Sequence, residues 1–222
     1  MQRARELGWS IIELMVGIAL ALLIAAAATL LLGNSVAENR RLLLEARLTQ
    51  DLRSAADLVV RQARRSGHWA AAATLGLWSP NASALSNPYA ELAPDSAASD
   101  TIMLRYSQDA NENNAVDDNE QVGFRLRNGA LEAQLGQNNW QALTDASLLV
   151  VTRFLVQPRV ESVALDWECS CAAGTTCTAP QVQVRSIDIE ISGRATGDAS
   201  VTRTVRSTVR VRNDNVTGGC NV

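Results

Sequence analysis

Apolar residues follow two different rhythms along this chain. From Ile11 to Leu32 they run almost unbroken, IIELMVGIALALLIAAAATLLL, with a single charge at Glu13. At a rise of about 1.5 Å per residue, a helix of this length covers the roughly 30 Å hydrocarbon core of a bilayer. From Leu44 the rhythm changes. Leu44, Leu48, Leu52, Ala55, Val59 and Ala63 recur every three or four residues, which is one stripe of an amphipathic helix. Arg40, Arg41, Arg47, Arg53, Arg61, Arg64 and Arg65 lie mostly off that stripe, interleaved with Glu45, Asp51 and Asp57. No proline interrupts residues 9–66, and Ser66-Gly67 is a helix stop. The pattern predicts one helix of about 57 residues, roughly 85 Å long. Its first half, 9–32, is apolar all round, and its second, 33–66, has one face for a globular head.

Beyond the helix the periodicity shortens to two. Residues 67–100 are rich in Ala, Ser, Asn and Pro and read as a connection draped over the head, with Trp69 and Trp78 as anchors. Residues 101–222 read as a β-rich head. Ile102, Leu104 and Tyr106 alternate with smaller or polar neighbours, as do Val122, Phe124 and Leu126, and Asn128-Gly129 is a hairpin turn. Further period-2 faces are Val163, Leu165 and Trp167, then Ile187, Ile189 and Ile191, then Val205, Val209 and Val211. Val182 and Val184 are out of phase with Ile187, which predicts a bulge near Arg185-Ser186. The fold class expected is α+β, a long helix packed on an antiparallel sheet.

Composition narrows the function. Hydrophobic residues are 47% of the 222, but that figure averages an apolar helix with a polar head. The 20 basic residues are all arginine, set against 23 acidic ones, for a net charge of −3. That balance argues against a protein that coats nucleic acid. The arginines of the second helical half, with acids between them, read as a solvated face with i,i+4 pairs. His68 is the one histidine, without a reactive partner nearby in sequence, so no catalytic reaction is expected.

Glu13 changes the meaning of the apolar run. A carboxylate inside such a span costs on the order of 2.5–3.5 kcal/mol on insertion scales, and a plain anchor would do better without it. A secretory signal peptide would have a shorter apolar run ending in a cleavage site. Gly8 to Val16, GWSIIELMV, resembles the type IV prepilin motif, in which a short basic leader ends in Gly, an aromatic residue follows, and a Glu sits fifth from it. Gly8, Trp9 and Glu13 match that spacing, with Trp9 where Phe is usual. The resemblance implies a leader over 1–8, cleavage by prepilin peptidase between Gly8 and Trp9, and N-methylation of Trp9. It also implies a type IV pilin-like fold, with Glu13 neutralising a cationic N-terminus buried in a filament core.

The run DLRSAADLVVRQARRSGHWA followed by SDTIMLRY resembles a narrower branch, the PilW-like minor pilins, with His68 where an aromatic is more usual. That branch implies a structural subunit that helps initiate a type IV pilus or sits at its tip. Its implied partners are other major and minor pilins, prepilin peptidase, the inner-membrane assembly platform and a tip adhesin. Its implied location is the inner membrane of a Gram-negative bacterium with the head in the periplasm, then the extracellular pilus. The competing readings are a pseudopilin of a type II secretion system and a membrane-anchored calcium- or ligand-binding module that never polymerises.

Two features of the head carry chemistry of their own. Asp109 to Glu120, DANENNAVDDNE, fits the twelve-residue calcium-loop template. Asp109, Asn111 and Asn113 take positions 1, 3 and 5, the Ala115 carbonyl position 7, Asp117 position 9 and Glu120 position 12. Asn114 stands where the template has Gly, and Asn tolerates a left-handed backbone next best. The expectation is a hairpin calcium loop of roughly 10⁻⁴–10⁻³ M affinity. Cys169, Cys171, Cys177 and Cys220 could hold zinc, but a head in an oxidising compartment favours disulfides. The pairing expected is Cys171–Cys177 and Cys169–Cys220, because Cys169 and Cys171 would point to the same side of a strand.

Overall fold

The computed structural model describes residues 10–75, 87–165 and 180–217. The chain divides into two compact units, Met1–Leu44 and Glu45–Val222. Helix α1 spans Ile11–Arg65 and belongs to both. Within the second unit its buried residues are Leu48, Leu52, Ala55, Ala56, Val59 and Ala63, the stripe that the three-and-four spacing picks out with Ala56 added and Leu44 only half-buried. Each large aliphatic side chain taken from water contributes roughly 1.5–3 kcal/mol. The helix ends where Gly67 takes a positive φ of 74, a conformation that costs glycine little.

After a single turn α2 (Ala72–Leu75) come nine strands among the described residues. β1 (Leu92–Ala93), β2 (Thr101–Arg105), β3 (Gln121–Arg127), β4 (Ala130–Leu135) and β5 (Trp140–Ala142) form one antiparallel sheet in sequence order. β6 (Leu149–Ala164), β7 (Gln181–Ala195) and β8 (Thr202–Arg210) form a second. β9 (Asn215–Thr217) pairs with β7 at Gln181–Gln183, beyond the stretch of β7 that β8 occupies. The α+β, pilin-like architecture is therefore present, with two sheets in place of the single one expected. Asn128 and Gly129, at φ 51 and 75, close the β3–β4 hairpin where the turn signal lies.

The inner faces of both sheets supply the core of the head. Ile102, Leu104, Val122, Phe124 and Leu131 come from the first sheet, and Phe154, Val156, Ile187, Ile189 and Ile191 from the second. A Cβ on Gly193 would lie 3.2 Å from the Leu52 side chain, so bare backbone there lets α1 approach β7 closely.

Two strand expectations are corrected. β7 pairs with β6 without interruption through Arg185 and Ser186; the register shift lies between Val151 and Arg153 on β6. Val182 and Val184 are out of phase because β7 runs on past the core, where the opposite face carries its apolar residues. Of the face predicted at Val163, Leu165 and Trp167, Val163 is 45% exposed and Leu165 half-buried, and Trp167 lies outside the described residues. Burial on β6 instead falls at Leu149, Val151, Phe154 and Val156, on either side of the bulge.

Candidate functional site

The first half of α1 is an apolar surface that no described residue of its own unit covers. Every large apolar side chain from Ile11 to Leu32 is more than half exposed. The most apolar window has a mean hydropathy of 2.6, long and apolar enough to cross a membrane. Such a surface requires lipid or other apolar helices around it. Ser10 starts the helix: its Oγ accepts from Ile12 N at 3.3 Å and its carbonyl from Leu14 N at 3.1 Å. Glu13 falls in the first turn, where the helix dipole favours an anion. Gly8 and Trp9 lie outside the described residues, as do Cys169, Cys171, Cys177 and Cys220.

At the other end of α1 the head builds a polar site from chain segments far apart in sequence. Gly67 N donates to the Arg105 carbonyl at 2.8 Å, Ser107 N to the His68 carbonyl at 2.8 Å, and Asn87 Nδ2 to the Gly67 carbonyl at 2.8 Å. These bonds set the end of β2, the loop after it and the segment before β1 against the helix exit. Trp69 is buried as an anchor and its indole N–H donates to Asn114 Oδ1 at 2.9 Å. Trp78 lies outside the described residues. The Tyr89 hydroxyl reaches Glu112 Oε1 and the Ala115 carbonyl, each at 2.9 Å.

The six template residues share this loop but are largely engaged with one another and with backbone. Asn114 has φ 60, the left-handed turn the sixth position requires. Asn113 Oδ1 accepts from Ala115 N at 2.7 Å while its Nδ2 donates to Asp117 Oδ2 at 2.9 Å. Glu120 is fully buried and accepts from Gln108 N at 2.8 Å through Oε1 and from Asp117 N at 2.9 Å through Oε2. Asn111 is exposed. Among the described residues no group of three or more His, Cys, Asp and Glu side chains is placed to hold a metal. A cation in this loop would therefore rest on amide and carbonyl oxygens beside the carboxylates.

The loop is electrostatically crowded. The Asp109 carboxyl is pushed above its ordinary range by desolvation and by repulsion from Glu120, Asp117 and Glu112. For Glu112, desolvation is outweighed by hydrogen bonds from Ser107, Asn114 N, Tyr89 and Ala70 N, which hold its carboxyl below the usual range. The Tyr89 phenol is pushed far up, by burial first and then by Glu112 and Glu120.

One buried group escapes sequence reasoning. Arg185, 7% exposed, lies under the helix exit. Its Nη1 donates to the Ala90 carbonyl, its Nη2 to the Asn213 carbonyl at 2.9 Å, and its Nε has no partner. Asn213 Nδ2 in turn donates to the Ser66 carbonyl at 3.0 Å. Burial lowers the pKa of this guanidinium and the Asp214 charge opposes that; it stays a cation. The signal was present in the sequence, because Arg185 falls in phase with Ile187, Ile189 and Ile191.

Residues 41–211 match the family model described as prepilin peptidase-dependent protein B. No curated protein and no solved structure matches the chain.

Proposed function

Because the chain belongs to the prepilin peptidase-dependent protein B family, we propose that it is a minor pilin of the PilW-like kind, a structural subunit that helps initiate a type IV pilus or caps it. The observation that carries this reading is the uncovered apolar half of α1 with Glu13 alone in its first turn. In the monomer the helix dipole favours that carboxylate; in a filament core a cationic N-terminus at Trp9 would become its partner. Cleavage between Gly8 and Trp9 and methylation of Trp9 belong to the same proposal. So do the pilin partners, the assembly platform, a tip adhesin, and passage from the inner membrane to the pilus. The test is Glu13→Ala in the full chain in its host. Loss of surface pili with the protein retained in the membrane supports the reading. Unchanged piliation favours a non-polymerising anchored module, and lost secretion with intact pili favours a pseudopilin.

Calcium in the 109–120 loop is a separate proposal. It is supported by the left-handed Asn114 at the sixth position and by the carboxylate repulsion at Asp109 that a cation would relieve. Disulfides among Cys169, Cys171, Cys177 and Cys220 are likewise proposed from compartment chemistry, and peptide mapping that finds four free thiols would discard them.

A further inference from the structure

Five arginines converge around the C-terminal end of α1. Arg64 and Arg65 come from its last turn, Arg210 from the end of β8, Arg212 from just beyond it, and Arg185 from β7. Arg64 and Arg212 line two clefts at once: one shared with Thr208, Val209 and Arg210, the other with Arg65, His68, Ser107 and Asn213. Arg185 supports the second from within the head, bonded to the Asn213 carbonyl.

The local structure accounts for part of this charge. Arg210 pairs with Asp214 at 2.7 Å, and Arg65 stacks over the Tyr106 ring at 4.2 Å. The helix dipole accounts for cations in the last turn. It does not account for Arg212, which follows a strand, nor for Arg185, which has carbonyl partners and no carboxylate in bonding contact. Arg64 and Arg212 are exposed and make no ion pair among the described residues. Asp109 is the one acid on the walls of the two clefts.

We propose that these clefts dock a carboxylate-rich segment of a neighbouring pilin-like subunit, with Arg64 and Arg212 as the paired contacts. The proposal rests on the reading of the chain as an assembling subunit. Guanidinium forks match carboxylates bidentately, and two of them side by side select spaced acids. A protein partner fits better than a nucleic acid. Among the described residues the clefts offer bases no free Tyr or Trp ring, only the single imidazole of His68, because Arg65 covers the Tyr106 ring and Trp69 is buried. The acidic loop 109–120 beside them would repel a continuous polyanion, whereas a protein surface can place its acids to avoid it.

The test uses the full chain in its host membrane, with a photo-crosslinking benzoylphenylalanine at position 68, an exposed site on the cleft wall, and in a second strain at position 18. The expected result is a light-dependent product from position 68 with a second pilin-like subunit, joined through a peptide rich in Asp and Glu. The yield should fall at least tenfold with Arg64→Glu plus Arg212→Glu and persist with the two Lys substitutions, which keep charge and fold. A product at position 18 with none at position 68, or one at position 68 indifferent to charge reversal, overturns the docking site. Loss of both products overturns the assembly reading and the docking site with it. Light-dependent coupling of position 68 to nucleic acid, abolished by the same reversal, overturns the choice of a protein partner.

Discussion

The Tyr89 hydroxyl donates to Glu112 Oε1 at 2.9 Å, joining the segment before β1 to the acidic loop before β3. The bond holds a phenol with no exposed surface beside a carboxylate, so ionising the phenol would put two negative charges together in a poorly solvated place.

Alkaline titration reads this directly. The chain has two tyrosines, and both are shifted upward: Tyr89 by burial and then its acidic neighbours, Tyr106 by burial with Arg65 partly opposing. A phenol whose pKa is raised by folding contributes stability that is full below its unfolded value of about 10 and is lost as pH rises through the folded value. Tyrosinate absorbance should therefore stay absent in the native chain near pH 10 and appear as unfolding proceeds at higher pH. Tyr89→Phe should cost about 1–2 kcal/mol at neutral pH and reduce the alkaline loss. A tyrosine that ionises near 10 while the circular dichroism stays native would contradict the arrangement.

Glu120→Gln tests the buried acceptor under the loop. Two backbone donors, Gln108 N and Asp117 N, point at the two oxygens of Glu120. An amide offers one oxygen and turns its NH₂ toward the other donor. The expected cost is about 2–3 kcal/mol, read as a lower urea midpoint with an unchanged slope.

Calcium titration decides the use of the loop. With affinity of roughly 10⁻⁴–10⁻³ M, calcium at ten times its Kd should stabilise the chain by about 1.4 kcal/mol. Asp109→Asn should weaken that effect. Absence of both heat and thermal shift at millimolar calcium would leave the loop held by its own hydrogen bonds alone.

Glu13→Ala should separate assembly from folding. The substitution lies in the apolar half of α1, outside the unit that carries the core. The thermal midpoint should move by less than about 2 °C, within the range of surface changes, while piliation is lost. A large fall in the midpoint would give Glu13 a role in folding.

Much of the helix was legible because its causes are local. The stripe from Leu48 to Ala63 needs only the 3.6-residue period, the stop at Ser66-Gly67 a glycine able to turn left-handed, and the β3–β4 turn an Asn-Gly pair. Asn114 was legible for the same reason, as a residue that tolerates a positive φ. The phase of β6 was not. Its bulge between Val151 and Arg153 puts Val151 and Phe154 on one face, and no period-2 count crosses an inserted residue correctly. Glu120 fitted a ligand template in sequence; that its two oxygens also accept from Gln108 N and Asp117 N was not legible, because those donors arrive only when the loop closes.

The sequence alone was sufficient for the apolar run, the lone Glu13 within it, the amphipathic continuation and the strand-rich head, since hydrophobic periodicity and length are properties of neighbours along the chain. Tertiary structure decided which strands share a sheet, that Glu120 faces inward, and that Arg185 lies buried against carbonyls from Ala90 and Asn213, 95 and 28 residues away. It also decided that Arg64 and Arg212 meet at one pair of clefts. The physical reason is common to all of these. A buried polar group is settled by the partners that desolvate and satisfy it, and those arrive only when distant segments close over it.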